Sequence, residues 1–115
     1  TFFLPRLIGL QRATAMMFLG NQTSAIEAKE MGMIYETVAD EQLMEVVIDF
    51  AIKLSKRPTK GFGLTKKALN KSFTNSLQEQ LDMEKELQSL AAKTHDHQEG
   101  IQAFFEKRKP NYTGE

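Results

Sequence analysis

The chain has 115 residues, with 15 Lys and Arg against 15 Asp and Glu, so its formal net charge is zero. Because a nucleic-acid partner usually requires a broad basic face, this balance argues against one. The absence of cysteine excludes disulfides, thiolate metal sites and thiol nucleophiles, and it favours a reducing compartment. The length is that of a common single domain and is enough to bury a sizeable core.

The amino terminus and the apolar runs indicate the expected cellular location of the protein. No apolar run approaches the roughly 18 residues of a membrane span, and no charged-then-apolar leader opens the chain. We therefore expect a cytoplasmic protein with no membrane partner. The chain starts at Thr1 and continues at once with Phe2, Phe3 and Leu4, an apolar beginning that is unusual for a natural free terminus. We expect it to be a fragment of a longer protein.

Glycines and capping residues divide the first part of the chain. Gly9 and Gly20 predict the ends of two helices. Ser24 followed by Glu27 matches a capping box, which predicts a short third helix that ends at Gly32. Residues 33–39 are rich in β-branched and aromatic side chains and are too few for a helix, so they predict a short extended segment and the one expected strand.

Helical periodicity dominates the rest of the chain. Asp40 predicts an N-cap, and the apolar residues that follow keep an unbroken helical spacing: Leu43, Val46, Val47, Phe50, Ala51 and Leu54. Pro58 separates this helix from the next, whose stripe is Leu64, Ala68, Leu69, Ser72 and Phe73. Ser76 predicts the cap of a long helix from Leu77 to about Lys93, with an inward face of Leu81, Leu87, Leu90 and Ala91. The pattern predicts a mainly α fold of about six to seven helices that lean antiparallel and are joined by short turns.

The last helix combines an apolar stripe with a basic end. Thr94 or Asp96 predicts its N-cap, Asp96 forming a second possible capping box with Glu99. Ile101, Phe104 and Phe105 share one face, and three cations follow before Pro110 stops the helix: Lys107, Arg108 and Lys109. Spacing alone favours a buried stripe whose cations face the negative end of the helix dipole. The alternative is a surface for a flat aromatic ring that carries phosphate.

No spacing in the chain matches a recognised catalytic motif. His95, Asp96 and His97 offer metal-ligand side chains, but neighbours in a helix point to different faces and no third His or Cys completes a set, which favours a solvated first turn. Glu84 and Glu86 lie on the polar side of an amphipathic helix, which indicates a surface role. The residues alone predict neither a catalytic residue nor a metal site.

Several short stretches occur together in a specific order: Leu4-Pro5-Arg6-Leu7-Ile8-Gly9, Leu19-Gly20, Ser24-Ala25, Glu27-Ala28, Met31-Gly32-Met33-Ile34, Glu99-Gly100, Ala103-Phe104 and Glu106-Lys107-Arg108. In this order they resemble the carboxyl-terminal portion of the enoyl-CoA hydratase/isomerase, or crotonase, superfamily. A second set is most similar to the ring-epoxide isomerases and hydratases of phenylacetate degradation: Pro58-Thr59, Gly61, Leu64, Lys66, Ala68-Leu69-Asn70, Gln80-Leu81-Asp82 and Glu84. The resemblance implies one helical fragment over residues 1–115. Residues 1–39 would end the crotonase core region and residues 40–115 would form the helical trimerisation region.

The resemblance also implies what the chain lacks. Family members hold the thioester oxygen of an acyl-CoA substrate with two backbone N–H groups that lie upstream of the matched region, as does the acid/base carboxylate. In the similar isomerases that carboxylate shortly precedes a Gly-Gly pair, and Thr1 would follow that pair. We therefore expect a parent enzyme that acts on a coenzyme A thioester without a tightly bound cofactor. This chain alone is expected to be inactive and to contain no catalytic residue.

The functions that the resemblance leaves to this portion are trimer formation and closure of the coenzyme A site. In the family the last helix lies near the coenzyme A bound by a neighbouring subunit. Carried over by position, Phe104 would pack beside the adenine or the adjacent acyl path, and Lys107 would contact phosphate. Arg108 is a weaker candidate because it lies on a different helical face.

These roles imply self-association as a trimer or hexamer in the parent and as a dimer or trimer for the fragment. The resemblance leaves open which acyl-CoA is used, and whether the parent is a hydratase or an isomerase. An alternative function remains: a free-standing helical oligomerisation or adaptor module that does not bind acyl-CoA.

Overall fold

A computed structural model describes all 115 residues as seven α-helices and one short 3-10 turn. The mainly helical fold predicted from the sequence is confirmed. Residues 33–39 are non-helical, as expected, but no other segment pairs with them and they form no strand. Contacts divide the chain into two compact units, Thr1–Val46 and Val47–Glu115. None of the helices is both long and apolar enough to cross a lipid bilayer.

The first unit contains helices α1 (Leu4–Ile8), α2 (Leu10–Leu19) and α3 (Ala25–Glu30). Helices α1 and α2 pack against each other across Gly9, whose φ of 82° favours glycine. The predicted capping box opens α3: the Ser24 hydroxyl accepts the Glu27 N–H at 3.2 Å, and the Glu27 carboxylate accepts the Ser24 N–H at 2.8 Å. The side chains buried in this unit are small or branched, namely Ile8, Ala13 and Ala28.

Helix α4 (Leu43–Ser55) has the predicted apolar stripe, but the chain covers it only in part. A 3-10 turn over Asp40–Gln42 leads into the helix, so Asp40 opens this turn and does not cap α4 as predicted. No α4 residue is buried, and the Val47 side chain in the middle of the stripe is 51% exposed. The apolar face has helical spacing, and its side chains stay roughly half exposed.

After the end of α4, the second unit contains α5 (Thr59–Ser72), α6 (Leu77–Ala91) and α7 (His95–Phe105). Helices α5 and α6 pack across a short turn, and the Gln80 amide donates to the Ala68 carbonyl at 3.3 Å. Ser76 caps α6 as predicted, its hydroxyl accepting the Glu79 N–H at 3.4 Å. Leu87 is the buried apolar side chain of α6, whereas Leu81 and Leu90, also predicted to face inward, stay about half exposed.

Candidate binding surface at the last helix

Thr94 is the N-cap of helix α7, and it is one of the two caps predicted from the sequence. Its hydroxyl accepts the His97 N–H at 3.1 Å and donates to the Ala91 carbonyl at 2.7 Å. Asp96 lies inside the first turn of the helix and not at its N-cap. The alternative capping box of Asp96 with Glu99 is therefore wrong, and both carboxylates bind other groups.

Asp96 is buried, with only 2% of its surface exposed. Its two carboxylate oxygens accept the backbone N–H groups of Thr113 and Gly114 at 2.8 and 2.9 Å, and its own N–H donates to the Glu115 carbonyl at 3.1 Å. The interpretation of a solvated first turn is wrong for this residue, because the carboxyl-terminal tail returns and covers it. The adjacent His95 is exposed, as expected.

The electrostatics of Asp96 follow from these contacts. Burial alone raises the pKa of a carboxyl group, since the charged form loses its hydration. At Asp96 the N–H donors of Thr113 and Gly114, together with the nearby His95 ring, more than offset burial and hold the pKa below its ordinary value. Asp96 is therefore a charged anchor for the tail.

Glu99 and Arg108 form a second anchor one turn further along α7. The Arg108 guanidinium contacts both Glu99 oxygens, at 2.5 and 2.8 Å, and its Nε lies 2.5 Å from a Glu106 oxygen. Glu99 also accepts the Asn111 N–H at 2.7 Å. The Arg108 side chain and the Asn111 N–H lower the pKa of Glu99 to about 2. Arg108 is thus committed to two carboxylates and is not an open cationic site.

The tail lies along one face of α7, where two carboxylates bind its N–H groups and a glycine leaves room for it. Asp96, Glu99 and Gly100 share this face at spacings of three and four residues. A Cβ atom at Gly100 would lie 3.2 Å from the Tyr112 hydroxyl, so only glycine admits the Tyr112 side chain without displacement. We name residues 111–115, held on this face, the tail strap.

Helix α7 ends at Phe105 in a left-handed turn. The Lys107 N–H donates to the Phe104 carbonyl at 3.3 Å, and the Arg108 N–H donates to the Ala103 carbonyl at 3.0 Å, the bonding pattern of a Schellman motif. Lys107 occupies the position usually taken by glycine, with a φ of 55°, and no other non-glycine residue in the chain has a positive φ. The three cations therefore lie beyond the last helical residue and not in the last turn as predicted.

Phe104 and Lys107, the two predicted coenzyme A contacts, are both accessible. The Phe104 side chain is 79% exposed and meets Phe105 edge to face, with ring centroids 5.9 Å apart. The Lys107 ammonium makes no hydrogen bond or ion pair within the chain. The buried-stripe interpretation therefore does not hold for Phe104 and Phe105, while Ile101 is about half exposed.

Phe104 also lines an open groove of about 1300 Å³ within the second unit. Helices α5, α6 and α7 contribute its walls, with Phe62, Leu69 and Leu81 among the apolar side chains. Lys107 lies outside it. Sequence reasoning did not predict the groove, because a cleft between three helices depends on their packing and not on the spacing within any one of them.

Comparison with known proteins covers almost the whole chain. The family profile of enoyl-CoA hydratase/isomerase matches residues 1–115. The chain is 46% identical over 114 residues to a 1,2-epoxyphenylacetyl-CoA isomerase from Escherichia coli K12, covering 99% of this chain and 44% of that protein. It is 34% identical over 113 residues to a trans-2-decenoyl-[acyl-carrier-protein] isomerase from Streptococcus mutans, covering 98% of this chain and 43% of that protein.

Solved structures agree with the sequence relatives. A crystal structure of an enoyl-CoA hydratase from Bacillus anthracis matches 97% of this chain with a TM-score of 0.88 and 39% identity, over 43% of its own length. The fold is thus the helical portion of a crotonase-type enzyme. The chain belongs to the enoyl-CoA hydratase/isomerase family, as the sequence resemblance predicted, and it corresponds to the carboxyl-terminal part of its relatives. It spans about 44% of the length of the first curated relatives it matches.

Proposed function

We propose that this chain is the carboxyl-terminal part of an acyl-CoA hydratase or isomerase of phenylacetate degradation. The relative at 46% identity supports this substrate class, because its name specifies an epoxide of phenylacetyl-CoA. The parent enzyme would work in the cytoplasm without a tightly bound cofactor. Its reaction would remove and return a proton next to the thioester carbonyl.

The observation that carries the binding role is the pairing of an exposed aromatic ring with a cation that has no partner. Phe104 offers a flat apolar surface to an adenine ring, and Lys107 offers a mobile ammonium to phosphate. The neighbouring Arg108 is occupied by Glu99 and Glu106. Of the residues at this turn, Lys107 is therefore the one suited to an external anion.

The exposed stripe of α4 supports the assembly role. Contiguous apolar surface on a protein marks an interaction site more often than it marks free surface. Val46 and Val47 lie on this stripe and are about half exposed in the isolated chain. We propose that other parts of the parent or neighbouring subunits cover the stripe when the trimer or hexamer forms.

The chain by itself would be inactive, because the family's oxyanion donors and acid/base carboxylate lie in the portion that it does not match. Incubation of the purified chain with crotonyl-CoA should give no hydration above the uncatalysed rate. Turnover by this chain alone would contradict that expectation.

The binding role is tested on the full-length parent by titration with coenzyme A. Loss of one charge-assisted phosphate contact in Lys107→Ala should weaken binding about tenfold to a hundredfold. Lys109→Ala is the matched control, since it removes an exposed cation two residues away and should leave affinity unchanged. An unchanged affinity in Lys107→Ala would contradict the proposed Lys107 contact, and a parent with no measurable coenzyme A binding would favour the adaptor module.

A further inference from the structure

We propose that Arg108 is a positioning residue for the coenzyme A phosphate contact, because it neutralises Glu99 and Glu106 and so keeps Lys107 available. The inference rests on the proposed function, since it concerns how Lys107 is presented to the ligand. Arg108 itself does not contact the ligand in this proposal.

Arg108 contacts the turn that contains Lys107 through both its side chain and its backbone. Its side chain contacts Glu99 within helix α7, where the returning tail also binds through the Asn111 N–H, and Glu106 immediately before Lys107. Its backbone N–H closes the turn on the Ala103 carbonyl at 3.0 Å. Lys107 is therefore held between a fixed helix end and a fixed guanidinium, with its φ at 55°.

The charges explain why an arginine is suited to this position. Two carboxylates lie near the turn, and a flexible lysine side chain pairs readily with any free carboxylate within reach. Arg108 contacts both oxygens of Glu99 and one oxygen of Glu106, and the Gln102 amide donates to the other Glu106 oxygen at 2.9 Å. With its carboxylate neighbours satisfied, the Lys107 ammonium stays without a partner inside the chain.

Removal of the guanidinium should reverse this arrangement. In Arg108→Gln, Glu106 keeps only its contact with the Gln102 amide and Glu99 keeps only the Asn111 N–H, so the Lys107 ammonium should turn to their remaining oxygens. Titration of the full-length parent with coenzyme A should then show about a tenfold weaker affinity, the loss of one charge-assisted contact. Pantetheine, which has no phosphate, should bind both proteins equally.

A second substitution separates charge from structural damage. Glu106→Gln in the Arg108→Gln background removes a competing carboxylate and should restore part of the coenzyme A affinity. In the Lys107→Ala background, Arg108→Gln should cause no further loss. A purely structural role for Arg108 would weaken coenzyme A and pantetheine alike, and would show no rescue by Glu106→Gln; either result would overturn the proposal.

Two further outcomes distinguish failure of the Arg108 proposal from failure of the proposed phosphate contact. If Lys107→Ala leaves coenzyme A affinity unchanged, the phosphate contact itself is wrong. If Lys107→Ala weakens binding but Arg108→Gln does not, only the positioning role is wrong. Should Arg108→Gln fail to assemble, Arg108→Lys keeps the charge without the bidentate contact, so it should weaken coenzyme A binding by less than about tenfold and leave pantetheine binding unchanged; an equal loss for both ligands would overturn the proposal.

Discussion

Helix α7 with its tail strap and helix α4 differ in where their partners are found. The polar groups on one face of α7 are satisfied inside the chain, since Asp96 and Glu99 bind backbone N–H groups of the returning tail. The apolar face of α4 has no buried residue at all. The polar face of α7 thus has its hydrogen-bond partners inside the chain, whereas the apolar face of α4 is suited to packing against a surface outside it.

This difference separates two roles that one helical chain can combine. A satisfied polar network fixes local geometry, because every buried donor and acceptor constrains the others. An uncovered apolar stripe instead stabilises whatever association removes it from water. We expect substitutions in α4 to act on assembly, and substitutions around α7 to act on local order and on ligand contacts.

The largest expected effect is on assembly. Val47→Glu places a charge in the middle of the α4 stripe, and an unpaired charge in an apolar interface costs several kcal/mol. The dissociation constant for self-association of the chain should therefore rise by more than about a hundredfold. Light scattering across a concentration series measures the shift.

The control for this substitution lies in the same helix. Lys53→Gln changes the net charge by the same amount on an exposed residue outside the predicted stripe, and it should leave the association unchanged. A strictly monomeric wild-type chain at high concentration would contradict the assembly role of α4.

The second prediction compares two leucines, one in each kind of environment. Leu87 is 6% exposed in α6, whereas Leu54 is 39% exposed in α4. Leu87→Ala should lower the free energy of unfolding by about 2–5 kcal/mol, because it leaves a cavity in the core. Leu54→Ala should cost less than about half of that while the chain is monomeric.

Urea denaturation at low protein concentration measures both variants. Equal losses would show that α4 is already covered within the chain, and the comparison between the two regions would fail. A growing cost of Leu54→Ala with protein concentration would instead locate the missing partner in a second copy.

The third prediction concerns the left-handed turn. Lys107 has a φ of 55°, where a non-glycine residue is strained and glycine is not. Lys107→Gly should therefore stabilise the chain by about 0.5–1 kcal/mol, although it removes the proposed phosphate contact. Lys107→Ala keeps the strain and should bring no gain in thermal or urea denaturation. A stability gain in both variants would indicate that charge, and not backbone conformation, is the source.

Periodicity predicted the helices well because it depends on neighbours along the chain. The caps at Ser24 and Ser76 and the long spacing of α4 are local features, and the structure contains all three. Burial was predicted poorly because it depends on surfaces that are distant along the chain or belong to another chain. The period of a stripe identifies its apolar face, but it contains no information on whether the covering surface belongs to this chain.

The site shows the same limit. Asp96 was interpreted as part of a solvated first turn because it and its two histidine neighbours point to different helical faces and no third His or Cys completes a metal set. Its partners are instead the N–H groups of Thr113 and Gly114, far along the chain. A signal was available in Gly100, which lies on the same face as Asp96 and admits Tyr112. Phe104 and Lys107 came from family resemblance, and their assignment to coenzyme A stays a prediction.

The smallest expected effect is a local response to pH in the tail strap. The pKa of Glu99 is lowered from 4.5 to about 2 by Arg108 and the Asn111 N–H, and the pKa of Asp96 is also below its ordinary value. A carboxylate with a lowered pKa in the folded state contributes stability above its unfolded pKa, and this contribution disappears as the pH falls through the folded value. The strap should therefore stay bound above about pH 4.5 and loosen progressively towards about pH 2.

Amide exchange and chemical shifts of Asn111 and Thr113 follow this release directly. Glu99→Gln should loosen the strap already at neutral pH, because the neutral amide holds both Arg108 and Asn111 less strongly. Glu86→Gln removes an exposed carboxylate of α6 that makes no hydrogen bond, and it should leave both amides unchanged. The amides of Asn111 and Thr113 could instead stay protected from exchange down to about pH 2 while α6 unfolds first. That result would show that these carboxylates do not hold the tail strap. The strap would then be held by packing contacts such as that of Tyr112 with Gly100.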